Sequence, residues 1–419
     1  MNKVLFSTVA ALGLVAASHA FAQSGDDNMT KLQGMQSTGT SMDIKTIEQT
    51  GANADQLRKN LEEIKLPDGF KIDLYAVVPD ARHMAVGPQG VALFVGTRKQ
   101  NVWVVTDRNK DRVADEVKEL APSISFTIPN GVCFSKDGFL FIAEQNRVLT
   151  LPAAEFFYES PDVAVGVVVE EGKLVPASEE SFNHTARVCR IGPDNKLYIA
   201  LGQPYNVPPE DKMDLYEKEG IGGIIRMDRD GKNREVFATG IRNSVGMQFN
   251  PANGELWFTD NQVDGMGDDI PPGELNRATA AGQNFGFPWF GGGDVRTEEY
   301  KNSEPPADAV MPQVKFTAHA ADLGMDFYTG TSFPQKYRGG IFSAQHGSWN
   351  RTEPVGARVM FTPLNEDGTA GEPEVFASGW LTDSGEYMGR PVDVEVMKDG
   401  SLLVSDDLAG AVYRISYDE

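Results

Sequence analysis

The sequence predicts an all-β fold, a six-bladed β-propeller with long loop insertions. Three observations carry that expectation. A short unit returns six times, beginning near Arg82, Asn130, Arg187, Arg242, Asp322 and Arg390. In each, a polar leader opens an alternating strand, a turn rich in Gly, Pro, Asp or Asn follows, and a second apolar strand closes the unit. Strand repeats of this length stack as radial blades around a channel. Residues 70–76 alternate apolar and polar ahead of the first unit, and residues 411–416 do so at the C-terminus. Strands from the two ends can therefore complete one blade and close the ring, which leaves only short protected edges. Two insertions, 203–220 and 263–315, interrupt the repeats, and long loops on a rigid β scaffold are where function concentrates.

The elements before the first unit follow in order. Lys3, an apolar run over 4–17 and Ala20-Phe21-Ala22 have the form of a secretory signal, so residues 1–22 are expected to be removed. The run is too short to span a bilayer. Residues 23–65 are expected to form a flexible leader containing a short helix. Its first part, 23–42, is poor in aliphatic residues and cannot build a core. From Ala54 to Lys65 the spacing of Leu57, Leu61 and Ile64 gives one apolar helical face. The propeller is expected over 66–419, in a periplasmic protein.

Composition excludes several functions. A formal charge of −22 disfavours nucleic acid and anionic membrane surfaces as partners, and no run beyond the signal is apolar enough to span a membrane. The chain has no phosphate-binding P-loop, no G-x-G-x-x-G after a strand, no G-x-S-x-G elbow and no zinc-ligand spacing. Only Cys133 and Cys189 are present, near the same place in neighbouring units. Either they bridge two blades or they are two buried thiols.

Equivalent positions in a propeller face one axis, so Arg187, Arg242 and Arg390 are candidates for a polyanion site. Pairing with local acids such as Asp322, Asp393 or Asp406 is the alternative. His184, ahead of Arg187, is a candidate general base at the channel mouth. Asp107, Asn109, Asp111, the Val113 carbonyl and Asp115 alternate as in a calcium loop, although Arg112 stands where a Gly is expected. Asp260, Asn261, Gln262 and Val263 begin a second oxygen-rich stretch suited to Ca²⁺. The aromatics Phe285, Phe287, Trp289 and Phe290 suggest that the second insertion covers the channel mouth.

Several segments together resemble the soluble quinoprotein glucose/sorbosone dehydrogenases, in their sorbosone-type branch. They are Ala81-Arg82-His83-Met84-Ala85-Val86-Gly87-Pro88, Gly240-Ile241-Arg242-Asn243-Ser244-Val245-Gly246, Gly267-Asp268-Asp269-Ile270-Pro271-Pro272-Gly273-Glu274-Leu275-Asn276, Gly282-Gln283-Asn284-Phe285-Gly286-Phe287-Pro288 and Gln345-His346-Gly347-Ser348-Trp349-Asn350-Arg351. The resemblance implies a six-bladed propeller that binds pyrroloquinoline quinone (PQQ) and Ca²⁺ over its channel and oxidises aldoses or related sugar aldehydes. It implies His184 as catalytic base, with Arg242 and Asn243 beside the quinone oxygens. Arg187 and Arg390 would meet the cofactor's carboxylates, and His346, Asp260 and Asn261 would contact or line its site. The backbone carbonyls of Gln262 and Val263 would hold its calcium. Electrons would pass to an external acceptor, a cytochrome or a quinone, since the chain has no C-x-x-C-H haem signature. A different class, a calcium-dependent lactonase or esterase without organic cofactor, could use Asp260 and Asn261 on the same fold.

Overall fold

A computed structural model describes residues 44–160 and 163–418. The expected signal, and the leader up to residue 43, lie outside the described residues. Six sheets follow one another along the chain, each with its first strand innermost. The inner strands are Met84–Val86, Gly131–Phe134, Val188–Ile191, Met247–Phe249, Asp322–Phe327 and Pro391–Val396, defining blades 1 to 6. Each starts within about five residues of a leader read from the sequence. None of the described helices is long and apolar enough to cross a membrane.

Closure joins the two ends of the propeller. Phe70–Val77 pairs antiparallel with Ala411–Tyr417 from Phe70↔Tyr417 to Val77↔Ala411, completing blade 6. The alternation that predicted this strand sets its register: Phe70, Ile72 and Leu74 face an aromatic core of Phe333, Tyr337, Phe342 and Phe376. A slip of one residue would turn that face to water. The segment ahead of it straps neighbouring blades. Thr46–Ile47 adds an outer strand to blade 1. A helix over Ala52–Asn60 buries Ala54 and Leu57 against the core of blades 5 and 6. Cys133 and Cys189 form a disulfide between the inner strands of blades 2 and 3, with Cα atoms 5.8 Å apart.

The leaders stitch blade to blade. Arg82 Nε donates to Asn130 Oδ1 at 2.9 Å, and Asn130 Nδ2 donates to the Arg187 carbonyl at 2.8 Å. Deeper along the axis lies a buried polar hub. His83 Nδ1 accepts from Val132 N–H, Asp393 Oδ2 accepts from Met84 N–H at 2.8 Å, and Asp326 accepts from Gln248 and from Val396 N–H. Arg190 Nη1 lies 2.9 Å from His83 Nε2, and its Nη2 lies 3.7 Å from Glu395. Every blade contributes to this hub, so its polar groups cross-link the inner strands where apolar contact is sparse.

The insertions build the rest. The first carries a helix over Met213–Glu219. The second sends Gln283–Asn284 to pair in parallel with the outer strand of blade 3, Glu235–Thr239. Its aromatics do not cover the channel mouth. Phe285 and Phe287 are buried, with Phe285 edge-on to Phe258, and Trp289 packs against Tyr300. Phe285, Phe287 and Phe290 form an apolar wall behind Arg242, Asp260 and Gln262.

Candidate functional site

A cleft of about 700 Å³ opens on the propeller face between the loops ahead of the inner strands of blades 3 and 4 and the loops that follow the second strands of blades 3, 4 and 5. His184, Asn206, Arg242, Asp264, Trp349 and Asn350 line it.

His184 sits in the loop before the inner strand of blade 3, with left-handed backbone at φ 52°. Its Nδ1 lies 2.5 Å from the Gln203 carbonyl. A carbonyl only accepts, so Nδ1 carries the proton and Nε2 is left with a lone pair. Burial, then the charges of Arg242, Arg187 and Arg98, hold its pKa down to about 3, against the pull of Gln203. The ring is therefore neutral across the physiological range. Its tight seat requires Gly202, where a Cβ would lie 2.8 Å from His184 Cβ and 2.4 Å from Asn243 Oδ1.

Arg187 supports this loop from beneath. It is buried, donates Nη1 to the His184 and Gly202 carbonyls at 3.0 and 3.2 Å, and donates Nε to the Gln145 carbonyl at 3.1 Å. Burial lowers its pKa to about 10. Arg242 reaches the cleft itself. Its Nη2 donates to Asp264 and to Asn206 Oδ1, both at 2.9 Å. Asp260 fixes the Arg242-Asn243 backbone by accepting both N–H groups, at 2.8 and 2.7 Å, and burial raises its pKa to about 6. Asn261 Nδ2 ties the Asn243 carbonyl to that of Asp322 in blade 5.

The guanidinium of Arg390 is engaged by groups of its own neighbourhood. It lies 4.9 Å over the Tyr387 ring and donates to the carbonyls of His346, Gly347 and Ser348. It grips the loop that carries Trp349. His346 is half-buried, with Nε2 2.8 Å from Asp407, which also pairs with Arg82. Burial opposes ionisation of Asp407, yet His346 and Arg82 hold it well below the usual carboxylate range.

The structure thus brings His184, Arg187, Arg242, Asn243, Asp260 and Asn261 into one connected site. His346 and Arg390 join it through the loop over 346–351. The calcium-loop candidates lie elsewhere, between the third and fourth strands of blade 1. Their oxygens turn onto the loop's own amides: Asp111 N–H donates to Asn109, Arg112 N–H to Asp107, Val113 N–H to Asp111 and Arg108 N–H to Asp115. Among the described residues, no group of three or more His, Cys, Asp or Glu is placed to hold a metal ion.

Three features escaped the sequence reading. Arg98 is exposed, its charge reaches His184, and its guanidinium donates to no protein group among the described residues. It follows a blade 1 strand rather than leading one, so the repeat did not mark it. Asn206 and Asp264, which orient Arg242, come from the two insertions, whose paths only the fold reveals. Around the cleft, Asn243 Oδ1, Gln262 Oε1 and Asn350 Oδ1 are buried without partners among the described residues. Neither the Gln262 nor the Val263 carbonyl accepts a hydrogen bond among the described residues.

A family model described as glucose/sorbosone dehydrogenase matches residues 173–414, the stretch that holds this cleft. The chain belongs to the glucose/sorbosone dehydrogenase family. Among similar proteins, the aldose sugar dehydrogenase YliI of Escherichia coli is 26% identical over 242 residues, covering 52% of this chain and 56% of that protein. A pyrroloquinoline quinone-dependent sugar dehydrogenase of Hypocrea jecorina is 26% identical over 215 residues, covering 42% and 47%. The chain thus spans about half the length of each. A Trichoderma reesei protein of carbohydrate-active family AA12 shares the propeller fold, with a TM-score of 0.69 and 21% identity over 85% of this chain and 98% of that one.

Proposed function

We propose that this chain oxidises an aldose or a related sugar aldehyde with PQQ and Ca²⁺, and passes the electrons to an external cytochrome or quinone. The observation that carries the reading is His184: a neutral imidazole with its Nε2 lone pair unspent, in a cleft beside Arg242. Membership of the sugar dehydrogenase family supports it.

The residues present fit the two groups. Arg98 and Arg242 offer positive charge to a tricarboxylate, and the carbonyls of Gln262 and Val263, with Gln262 Oε1, are unpartnered oxygens of the class Ca²⁺ takes. When bound, PQQ supplies the two-electron acceptor and Ca²⁺ a Lewis acid. His184 Nε2 takes the proton of the substrate hydroxyl. The Nδ1–H bond to Gln203 holds the ring in the tautomer this requires. Arg242 and Asn243 would offer donors to developing negative charge, and because Asp260 already fixes their backbone little reorganisation would be needed. An anion among these arginines would offset the field that depresses His184 and make it a stronger base. Arg187 and Arg390 act as positioning residues, holding the loops of His184 and Trp349.

The Cys133–Cys189 disulfide supports an oxidising compartment, in keeping with export to the periplasm. The test is reconstitution of purified protein with PQQ and Ca²⁺, an aldose panel and a dye acceptor. Aldose-dependent dye reduction that requires both additions is the expected result. Lactone hydrolysis without PQQ, and no dye reduction, would replace this reading with the lactonase.

A further inference from the structure

We propose that a second cavity, on the propeller face opposite the cleft, binds a small organic anion with an apolar body, of the aryl carboxylate class, and that Lys110 and Arg112 meet its charge. The cavity measures about 570 Å³ and lies at the seam where blade 6 closes onto blade 1. Its walls are the turns over 87–91 and 107–112 of blade 1, the turn over 397–399 of blade 6, and Tyr75 on the closing strand. These turns join first to second, or third to fourth, strands, whereas the cleft is built from loops at the other strand ends. A volume of this size suits a small molecule. Val86, Val91, Leu93 and Met397 give it an apolar wall beside the Tyr75 ring, and Val91 is 47% exposed there. Tyr75 is 4% exposed, and its hydroxyl has no hydrogen-bond partner among the described residues. Burial, then the charge of Asp107, raises its pKa, so the hydroxyl keeps its proton and remains an uncommitted donor.

The charge comes from the loop over 107–115, through the same bonds that occupy its oxygens. Asn109, Asp107 and Asp111 accept the N–H groups of Asp111, Arg112 and Val113, and in the resulting curl Lys110 and Arg112 have left-handed backbone, at φ 60° and 77°. Residues with side chains seldom take that conformation, and held strain of this kind gathers at ligand-binding sites. Both side chains are exposed, and neither donates to a protein group among the described residues. The other charges are committed. Arg108 pairs with Glu159, and Lys398 donates to the Pro88 carbonyl. Asp399 accepts from Ser401 and Arg414, Asp107 Oδ2 accepts the Arg112 N–H, and Asp107 Oδ1 is sealed from solvent. Arg108, Lys110, Arg112 and Lys398 against Asp107 and Asp399 leave a local excess of two positive charges in a chain of net charge −22. A bare anion would leave the apolar wall in water, and a neutral aromatic would leave the two cations unmet. An aryl carboxylate covers both, with the Tyr75 hydroxyl as a third donor.

Calorimetric titration of the full chain with naphthoate, naphthylmethanol and acetate tests this. Naphthoate should bind saturably at one site, about ten-fold or more tighter than the neutral alcohol, which lacks the charge, and than acetate, which lacks the apolar body. The double variant Lys110→Ala, Arg112→Ala should weaken naphthoate by about ten-fold or more, since two charge-assisted donors are lost. Tyr75→Phe should weaken it about five-fold and leave the fold intact, because the hydroxyl it removes has no protein partner. Far-UV circular dichroism checks that both variants are folded. Arg242→Ala, in the cleft on the other face, should bind naphthoate as the wild type does. Loss of naphthoate binding in Arg242→Ala would place the anion in the cleft and overturn the proposal. Absence of saturable binding, equal affinity for naphthoate and either of the other probes, or unchanged affinity in both seam variants would overturn it as well. Binding to vesicles containing phosphatidylglycerol without any response to naphthoate would replace the small anion with a lipid surface.

Discussion

Replacing Asp393 by Asn at the propeller axis should stabilise the protein, by an amount that grows with pH. Asp393 is 1% exposed on the inner strand of blade 6. One carboxylate oxygen accepts the Met84 N–H of blade 1, and the other has no partner among the described residues. Burial pushes its pKa up to about 7 from 3.8, against the pull of Arg190, with Asp326 adding to the rise. A raised carboxyl means that the folded state holds a proton the unfolded chain has lost. Stability therefore falls as pH rises from about 4 to about 7, and is level above that. A shift of about 3 pKa units at about 1.4 kcal/mol each gives about 4 kcal/mol. Asn keeps the acceptor for Met84 and does not titrate. For about 375 folded residues that corresponds to roughly 5 °C in Tm at pH 8, shrinking towards zero near pH 4. The assay is thermal unfolding of both proteins in buffers from pH 4 to 8. A constant difference across that range, or a variant less stable than wild type at pH 8, would refute the argument that Asp393 ionises at a cost.

His184→Ala should cut turnover by roughly 10²–10⁴ and leave PQQ affinity, measured by equilibrium titration, nearly unchanged. Arg242→Ala should weaken both, with PQQ affinity falling by about ten-fold or more, since a charge-assisted donor is lost. Unchanged affinity would contradict an anion at the cleft floor. The double variant Cys133→Ala, Cys189→Ala opens a loop of 56 residues, and chain entropy puts the loss at about 4 kcal/mol. A reductant should bring the wild-type Tm to that of the double variant.

Much of the fold was legible because propeller repeats leave local marks: a polar leader, an alternating strand and a turn of fixed chemistry. The closing strand was legible because Phe70, Ile72 and Leu74 alternate in step with Tyr413 and Ile415. The site was legible where one residue has one chemistry in that place, as with His184 ahead of its strand. It was less legible where a side chain could turn either way. Symmetry brings Arg187 and Arg390 near the axis but does not say which carbonyls their guanidinium groups will meet. Phe285 and Phe287 mark the second insertion as ordered, yet whether its aromatics face the channel or the blade behind depends on packing between blades 3 and 4. The Asp107 to Asp115 spacing shows oxygen atoms at intervals, not that the loop's own amides would claim them.

The donors at the cleft floor are largely spent in the free protein, which sets a further expectation. Arg242 is held by Asp264 and Asn206. An anion entering the cleft must therefore compete with Asp264 for Arg242. Asp264→Asn removes that competitor and its charge, while an amide oxygen still accepts from Asn350 or Arg242. Removing a like charge near a bound anion is worth about 1 kcal/mol or more at the effective dielectric of a half-buried site. PQQ affinity of the variant should therefore rise about five- to ten-fold, most at low ionic strength, where screening is weakest. Equilibrium titration of the apoprotein with PQQ at two salt concentrations measures this. Weaker binding by the variant would mean that Asp264 holds Arg242 in the orientation the anion needs, and that orientation rather than net charge governs the site.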